Sequence, residues 1–204
     1  MSVLTGDMLT AAKAQARAEA KVRRAAIARE MGRRAACQLV IPLSEAVLPL
    51  VPKGGIVAGY WPIASEIDLR PALAALAEQG RRIALPVTVA QGQPLEFRLW
   101  TPGAPTDESH YGAHIPRPGG ASGRDEDGRV VVPDLMLKPL LAFTADGQRL
   151  GYGGGYYDRT AAALPNVATL GVAYSGQQVD YLPVGPFDRP VGGVVTELGL
   201  ILPR

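Results

Sequence analysis

Residues 149–159, Arg-Leu-Gly-Tyr-Gly-Gly-Gly-Tyr-Tyr-Asp-Arg, gather the groups in this chain best suited to hold an anion. Four of the five positions from Gly151 to Gly155 are glycine, so backbone N–H groups can crowd around a ligand with no Cβ atoms in the way. A helix beginning at Tyr156 would point its first amides, and the positive end of its dipole, at the same spot. Arg149 and Arg159 flank this cradle as neutralising charges. Asp158 adds a hard oxygen ligand where a magnesium ion bridging phosphates would need one. A plain flexible turn between strand and helix is the competing reading of three glycines in a row. Two tyrosines, an aspartate and paired arginines weigh against it.

Two familiar phosphate motifs do not fit. A P-loop needs Gly-Lys-Ser/Thr after its second glycine, where this chain has Tyr-Tyr-Asp. A dinucleotide fingerprint needs glycine at position 156, which is Tyr156. Further cations come from far upstream. Lys13 and Arg17 lie four apart and share one helical face, and Lys21 and Arg24 extend the stripe. Such a stripe alone reads as a solvated helix face; beside a phosphate cradle, Lys13 and Arg17 become phosphate ligands. His110 and His114 have a spacing seen in metal sites, but they sit in a Gly/Pro-rich stretch with no suitably placed Glu and read as surface residues. Tyr60 and Trp61 are an aromatic pair at a strand end, either core or a stacking platform. No Ser-His-Asp set is available, so the chemistry points to positioning and charge stabilisation rather than a nucleophilic side chain.

The elements that must carry these groups are legible in outline. From Asp7 to about Leu39 the chain is rich in Ala, Arg and Glu, with no Pro and one Gly, which predicts a long basic helix (residues 1–39 as a unit) capped by Thr5 or Asp7. Short strands are expected at 56–60, 82–86, 95–100, 130–137, 168–174 and 191–196, and helices from Asp68 to Ala77 and from Tyr156 to about Ala163. Residues 101–129 are dense in Gly, Pro, Asp and Ser, without apolar period, and read as one long surface loop. Strands alternating with helices imply a three-layer α/β/α fold on a mostly parallel sheet. A length of 204 residues suits one domain over 1–204.

Bulk properties remove several classes. Cys37 is the only cysteine, which excludes an internal disulfide and a Cys-based zinc site. No run approaches the roughly 18 apolar residues of a membrane span. The net charge of +2 is uneven, with eight basic against three acidic residues in 1–37. That arm is too acidic and too poor in Ser for an organelle presequence and has no apolar segment behind it, so a cytoplasmic protein is expected. It lacks interleaved aromatics, so no nucleic-acid partner is expected, nor a membrane one. The sequence leaves oligomeric state open, a monomer included.

The segment from Gly147 to Arg159 resembles the signature of the 5-formyltetrahydrofolate cyclo-ligase family. The likeness continues in order along the chain: Lys13-Ala-Gln-Ala-Arg17, Gly59-Tyr60 through Ser65-Glu66-Ile-Asp68, Gly171-Val-Ala-Tyr174-Ser-Gly-Gln177, Pro183, Asp188 and Thr196-Glu197. It implies an enzyme using ATP and Mg2+ to close 5-formyltetrahydrofolate, its small-molecule substrate, to 5,10-methenyltetrahydrofolate through phosphorylation of the formyl oxygen, releasing ADP and phosphate. By the same resemblance, Lys13, Arg17 and the loop Arg149, Leu150, Gly151, Tyr152, Gly153, Gly154, Gly155, Tyr156, Tyr157 and Asp158 bind ATP. Arg149, Asp158 and Lys13 are the catalytic set, and Asp158 is the metal carboxylate. Tyr60, Glu66 and Tyr156 contact the folate, Glu66 through the N–H and amino edge of the pterin. The chain departs from the family pattern in Gly112-Ala-His-Ile-Pro-Arg-Pro118, which lacks a glutamate, at Thr144, at Phe187-Asp188, and at Lys138, a charge in a strand otherwise apolar.

Overall fold

A computed structural model describes residues 6–109, 112–117, 126–186, 188 and 190–203. Helix α1 (Gly6–Gln38) is the expected long N-terminal helix, and a second helix, α2 (Val40–Val47), follows almost at once. Pro42 is tolerated there because it falls in the first turn, whose N–H groups have no helical partner. Asp7 lies inside the first turn of α1 rather than ahead of it, and Thr5 is outside the described residues. The chain continues through β1 (Ile56–Ala58), α3 (Arg70–Glu78), β2 (Arg82–Thr88), β3 (Leu95–Leu99), β4 (Thr106–Glu108), β5 (His114–Pro116) and β6 (Val130–Val131). Next come β7 (Leu135–Pro139), β8 (Ala142–Phe143), β9 (Arg149–Leu150), α4 (Tyr156–Ala163), β10 (Ala168–Val172), β11 (Val194–Thr196) and β12 (Gly199–Ile201).

Eight strands form the main sheet in the order β12-β11-β10-β7-β1-β2-β3-β6. The pairs among β11, β10, β7, β1 and β2 are parallel, and antiparallel strands finish both edges, so the mostly parallel expectation holds. Side-chain alternation along β7 sorts the two faces. Leu135 and Leu137 join the larger core with Leu39, Leu43, Leu69, Leu73 and Leu76 from the α1–α3 side. Met136 meets Ala58, Ala84 and Phe97 on the other face, beside Ala161 and Leu164 at α4. Each fully buried leucine stabilises the fold by roughly 1.5–3 kcal/mol.

Small residues bring α1 close to the site. Ala16 and Ala20 pack on Leu141, Ala142 and Leu150 of the β8–β9 hairpin, while Ile27, Ala28, Met31 and Ala35 face the main core further along. This seats the helix directly over the glycine-rich loop that follows β9. The stripe read as solvated is divided: Lys21 stays exposed, Arg17 is half-buried and Arg24 is 2% exposed.

The single surface loop expected over 101–129 is corrected. Within it β4 and β5 pair as an antiparallel hairpin, with Glu108 opposite His114 and Thr106 opposite Pro116. Each strand has three residues, too few for a period-2 pattern to register in the sequence. Contacts from elsewhere hold them, including His114 stacked on Trp61. Of that stretch, residues 110–111 and 118–125 lie outside the described residues.

Candidate active site

A cavity of about 460 Å³ opens where β1, β2 and β7 end, the edge at which parallel α/β sheets place their ligand crevices. Tyr60, Trp61, Ile63 and Glu66 come from the chain after β1, and Pro86 and Thr88 from the end of β2. Lys138 and Pro139 end β7, and Arg149 to Asp158 supply the facing wall. Lys13 and Arg17 reach in from α1, so the residues the sequence singled out for nucleotide and folate line this one cavity, while Arg159 stands behind the loop, outside the lining.

Helix α4 begins at Tyr156, as expected, behind Gly155 in the left-handed conformation at φ 68°. Glycine is required there twice over, since a Cβ would also stand 2.5 Å from Arg159 Nη1. The cradle is tied down by cations from both sides. Arg17 Nε donates to the Gly151 carbonyl at 3.0 Å, and Arg159 Nη2 donates to the Gly154 carbonyl at 2.7 Å. A Cβ on Gly153 would come within 3.1 Å of the Arg17 guanidinium, so the missing side chain is what lets the arginine lie against the loop. Arg149 pairs with Asp158, which remains 59% exposed, and Lys13 Nζ meets Asp188 Oδ2 at 2.5 Å. Burial alone would raise the Asp188 carboxyl, but the Lys13 hydrogen bond and the Gly185 amide outweigh it and hold the group below the usual range.

The opposite half of the cavity centres on Glu66, 8% exposed. Its Oε2 accepts from the Ile63 amide at 3.0 Å, while Oε1 lies 3.7 Å from Arg24 Nη1 and has no hydrogen-bond partner. Burial pushes its pKa up to about 7, against the pull of the Ile63 amide, Arg24 and the nearby Tyr152 hydroxyl. Arg24 spreads its guanidinium over several acceptors: Ser65 Oγ at 3.1 Å, the Leu140 carbonyl at 3.4 Å and the Tyr152 hydroxyl. Thus the glycine loop is linked through Tyr152 and Arg24 to the Glu66 side. Tyr60 is core and cavity wall at once, 2% exposed with its hydroxyl donating to the Ile67 carbonyl at 3.1 Å. Trp61 sits half-buried between His114, stacked at 4.4 Å, and the Arg70 guanidinium at 4.9 Å.

Sequence reasoning underrated four residues here. His114, read as a surface residue, is half-buried in the cavity wall; His110 lies outside the described residues. Arg24 read as the end of a solvated stripe, and Lys138 as an oddity in its strand. Asp188 stands out in the sequence only by its place in a pattern. The helical spacing from Lys13 through Arg17 was a signal for Arg24, seven residues beyond Arg17 on the same face, but nothing local told which turn would be buried.

A triphosphate fits this cradle on three counts. Arg149 Nε is buried without a hydrogen-bond partner, the loop amides are free of side chains, and cations converge on it. Among the described residues no group of three His, Cys, Asp or Glu could by itself hold a metal. Magnesium carried on phosphates needs only one or two carboxylates beside its waters, which Asp158 and Asp188 can supply.

The 5-formyltetrahydrofolate cyclo-ligase family matches residues 9–197. A 5-formyltetrahydrofolate cyclo-ligase of Escherichia coli K12 is 33% identical over 175 residues, covering 82% of this chain and 88% of its own. That of Mycolicibacterium smegmatis is 31% identical over 150 residues, covering 70% and 74%. The solution structure of Aquifex aeolicus 5,10-methenyltetrahydrofolate synthetase superposes with a TM-score of 0.72 at 26% identity, over 94% of this chain and 93% of that one. A 5,10-methenyltetrahydrofolate synthetase from Mycoplasma pneumoniae shares the fold, with a TM-score of 0.68 at 22% identity.

Proposed function

Because this chain belongs to the 5-formyltetrahydrofolate cyclo-ligase family, we propose that its cavity holds Mg-ATP against the 149–158 loop and the reduced pterin of 5-formyltetrahydrofolate against Glu66. The enzyme converts 5-formyltetrahydrofolate into 5,10-methenyltetrahydrofolate. A formamide carbonyl resists attack by the neighbouring amine because its nitrogen already donates into it, and its oxygen does not depart as oxide. ATP supplies the phosphoryl group that turns this oxygen into a leaving group, with magnesium spreading the phosphate charge.

The chain's own residues would then do four things. Lys13, Arg17 and Arg149 neutralise phosphate oxygens, and the amides at the start of α4 donate to them. Asp158 offers the metal its carboxylate. Glu66, joined by Tyr60 and Tyr156, fixes the pterin edge so that the formyl oxygen faces the cradle, which is where most of the rate enhancement would arise. Trp61, His114, Pro86 and Leu95 keep water from the reacting carbon. The single observation carrying this reading is that one cavity joins an anion cradle to a buried carboxylate, Glu66.

The deciding experiment mixes purified protein, 5-formyltetrahydrofolate and Mg-ATP, and follows methenyl absorbance together with ADP release. One ADP per methenyl product is expected. Product without ADP would refute the nucleotide half, and ADP release indifferent to the folate would refute the coupling. We place the enzyme in the cytoplasm, in keeping with its lone Cys37 and with the absence, among the described residues, of any helix long and apolar enough to cross a membrane.

A further inference from the structure

Lys138 is the charge this fold has least structural reason to keep. It is the last residue but one of the central strand β7, at 3% exposure, yet its ammonium makes no hydrogen bond and no ion pair among the described residues. Its stem is buried while its ammonium opens on the cavity, where no protein acceptor meets it, and an apolar side chain of the same length would serve the packing as well. Alternation along β7 puts it on the same face as Met136, the α4 face, and there it lines the cavity below the first turn of α4. Its surroundings are already positive: Arg149 acts on it by repulsion, the start of α4 adds its dipole, and only Asp158 opposes them. Burial first, then Arg149, brings its pKa down to about 8, so the group still carries its charge at neutral pH.

The Lys138 ammonium, the Arg149 guanidinium with its orphaned Nε and a helix N-terminus face one cavity with only Asp158 against them, a surplus of positive charge until an anion enters. Lys13 and Asp188 are both partly exposed, whereas Lys138 is buried in the cavity wall. Its charged neighbours are those of the cradle, and Glu66 is not among them. We propose that Lys138 binds the terminal phosphate of the bound nucleotide triphosphate, holding in the cavity the group that is to be transferred. The proposal rests on the nucleotide reading of the cavity and assigns a ligand contact to a residue outside the glycine-rich loop and outside α1.

The test compares wild type with K138M, which keeps the length and removes the charge, and with K138Q. Equilibrium binding of Mg-ATP, Mg-ADP and 5-formyltetrahydrofolate is measured separately by calorimetry, along with the melting temperature of the free protein. Loss of one charge-assisted hydrogen bond predicts about a ten- to hundredfold weaker ATP affinity. ADP and formyltetrahydrofolate affinities should stay within about twofold, and free K138M should melt no lower than wild type because a charge repelled by Arg149 has gone. Equal losses for ATP and ADP would overturn the assignment to the terminal phosphate. So would unchanged ATP binding, or a loss confined to the folate. Should K138M fail to fold, the same ATP-to-ADP comparison on K138Q decides. Wild type with no affinity for ATP would instead overturn the nucleotide reading itself, whatever the variants do.

Discussion

Replacing Glu66 by Gln separates what burial does to this carboxyl from what the carboxyl does for the substrate. In the folded chain burial raises its pKa from 4.5 to about 7, more than Arg24 and the Ile63 amide can lower it. Below pH 4.5 the group is protonated in both folded and unfolded chains and costs nothing. Between 4.5 and about 7 the unfolded chain gives up its proton while the folded one keeps it, so stability falls as pH rises; above about 7 the deficit is constant. At about 1.4 kcal/mol for each factor of ten, the deficit reaches about 3 kcal/mol. Glu66→Gln has nearly the shape of the protonated acid and cannot ionise, so its stability lacks this slope. Urea denaturation of both proteins at pH 5, 6, 7 and 8 gives the difference directly, and all other titrating groups cancel. The variant should gain on wild type by about 3 kcal/mol across the window, while its affinity for 5-formyltetrahydrofolate falls. A difference that stays flat with pH, or runs the other way, would refute the reasoning, since it would mean Arg24 stabilises the carboxylate by more than burial costs it.

Arg24→Met removes the bonds to Ser65, Leu140 and Tyr152 and strands the Glu66 charge, so a loss of about 3–5 kcal/mol is expected at pH 8 by denaturation. Adding Glu66→Gln should restore part of it, and strict additivity in that cycle would show the pair is not coupled. Gly155→Ala forces a side chain into φ 68° and against Arg159, with a cost of about 1–2 kcal/mol. Its ATP affinity should drop with folate affinity intact, and unchanged nucleotide binding would place the phosphates elsewhere. Asp158→Ala sits at an exposed loop edge, so stability should move by less than about 0.5 kcal/mol. The magnesium needed for half-maximal turnover should rise severalfold, and an unchanged requirement would move the metal carboxylate to another residue.

Local chemistry made much of this protein readable in one dimension. The composition of 6–38 makes a helix because good helix formers follow one another without proline, and Tyr156 starts a helix because glycines precede it and good formers follow. The cradle is legible for the same reason: its amides, its glycines and Arg149, Asp158 and Arg159 are joined by a few covalent bonds. Even Lys13 and Arg17 needed only helical spacing to be grouped. Their meeting with the loop, by contrast, is set by how closely Ala16 and Ala20 let α1 approach the β8–β9 hairpin. Short elements held by distant partners stayed hidden, β4 and β5 by their pairing and the Trp61–His114 stack, β12 by its pairing with β11.

Ionisation and burial were decided by tertiary structure alone. Arg24 and Glu66 stand 42 positions apart in the sequence, and nothing near either one marks it for burial beside the other. Lys138 is the sharpest case. Its sequence neighbours fix only that it lies in a strand; the side it faces is set by the register of β7 between β1 and β10, and its charged company by where α4 comes to rest. Sequence specifies which groups exist and which are covalent neighbours. Only the folded sheet determines which of them share a desolvated space, and that is what sets a lone lysine and a lone glutamate in the wall of one cavity.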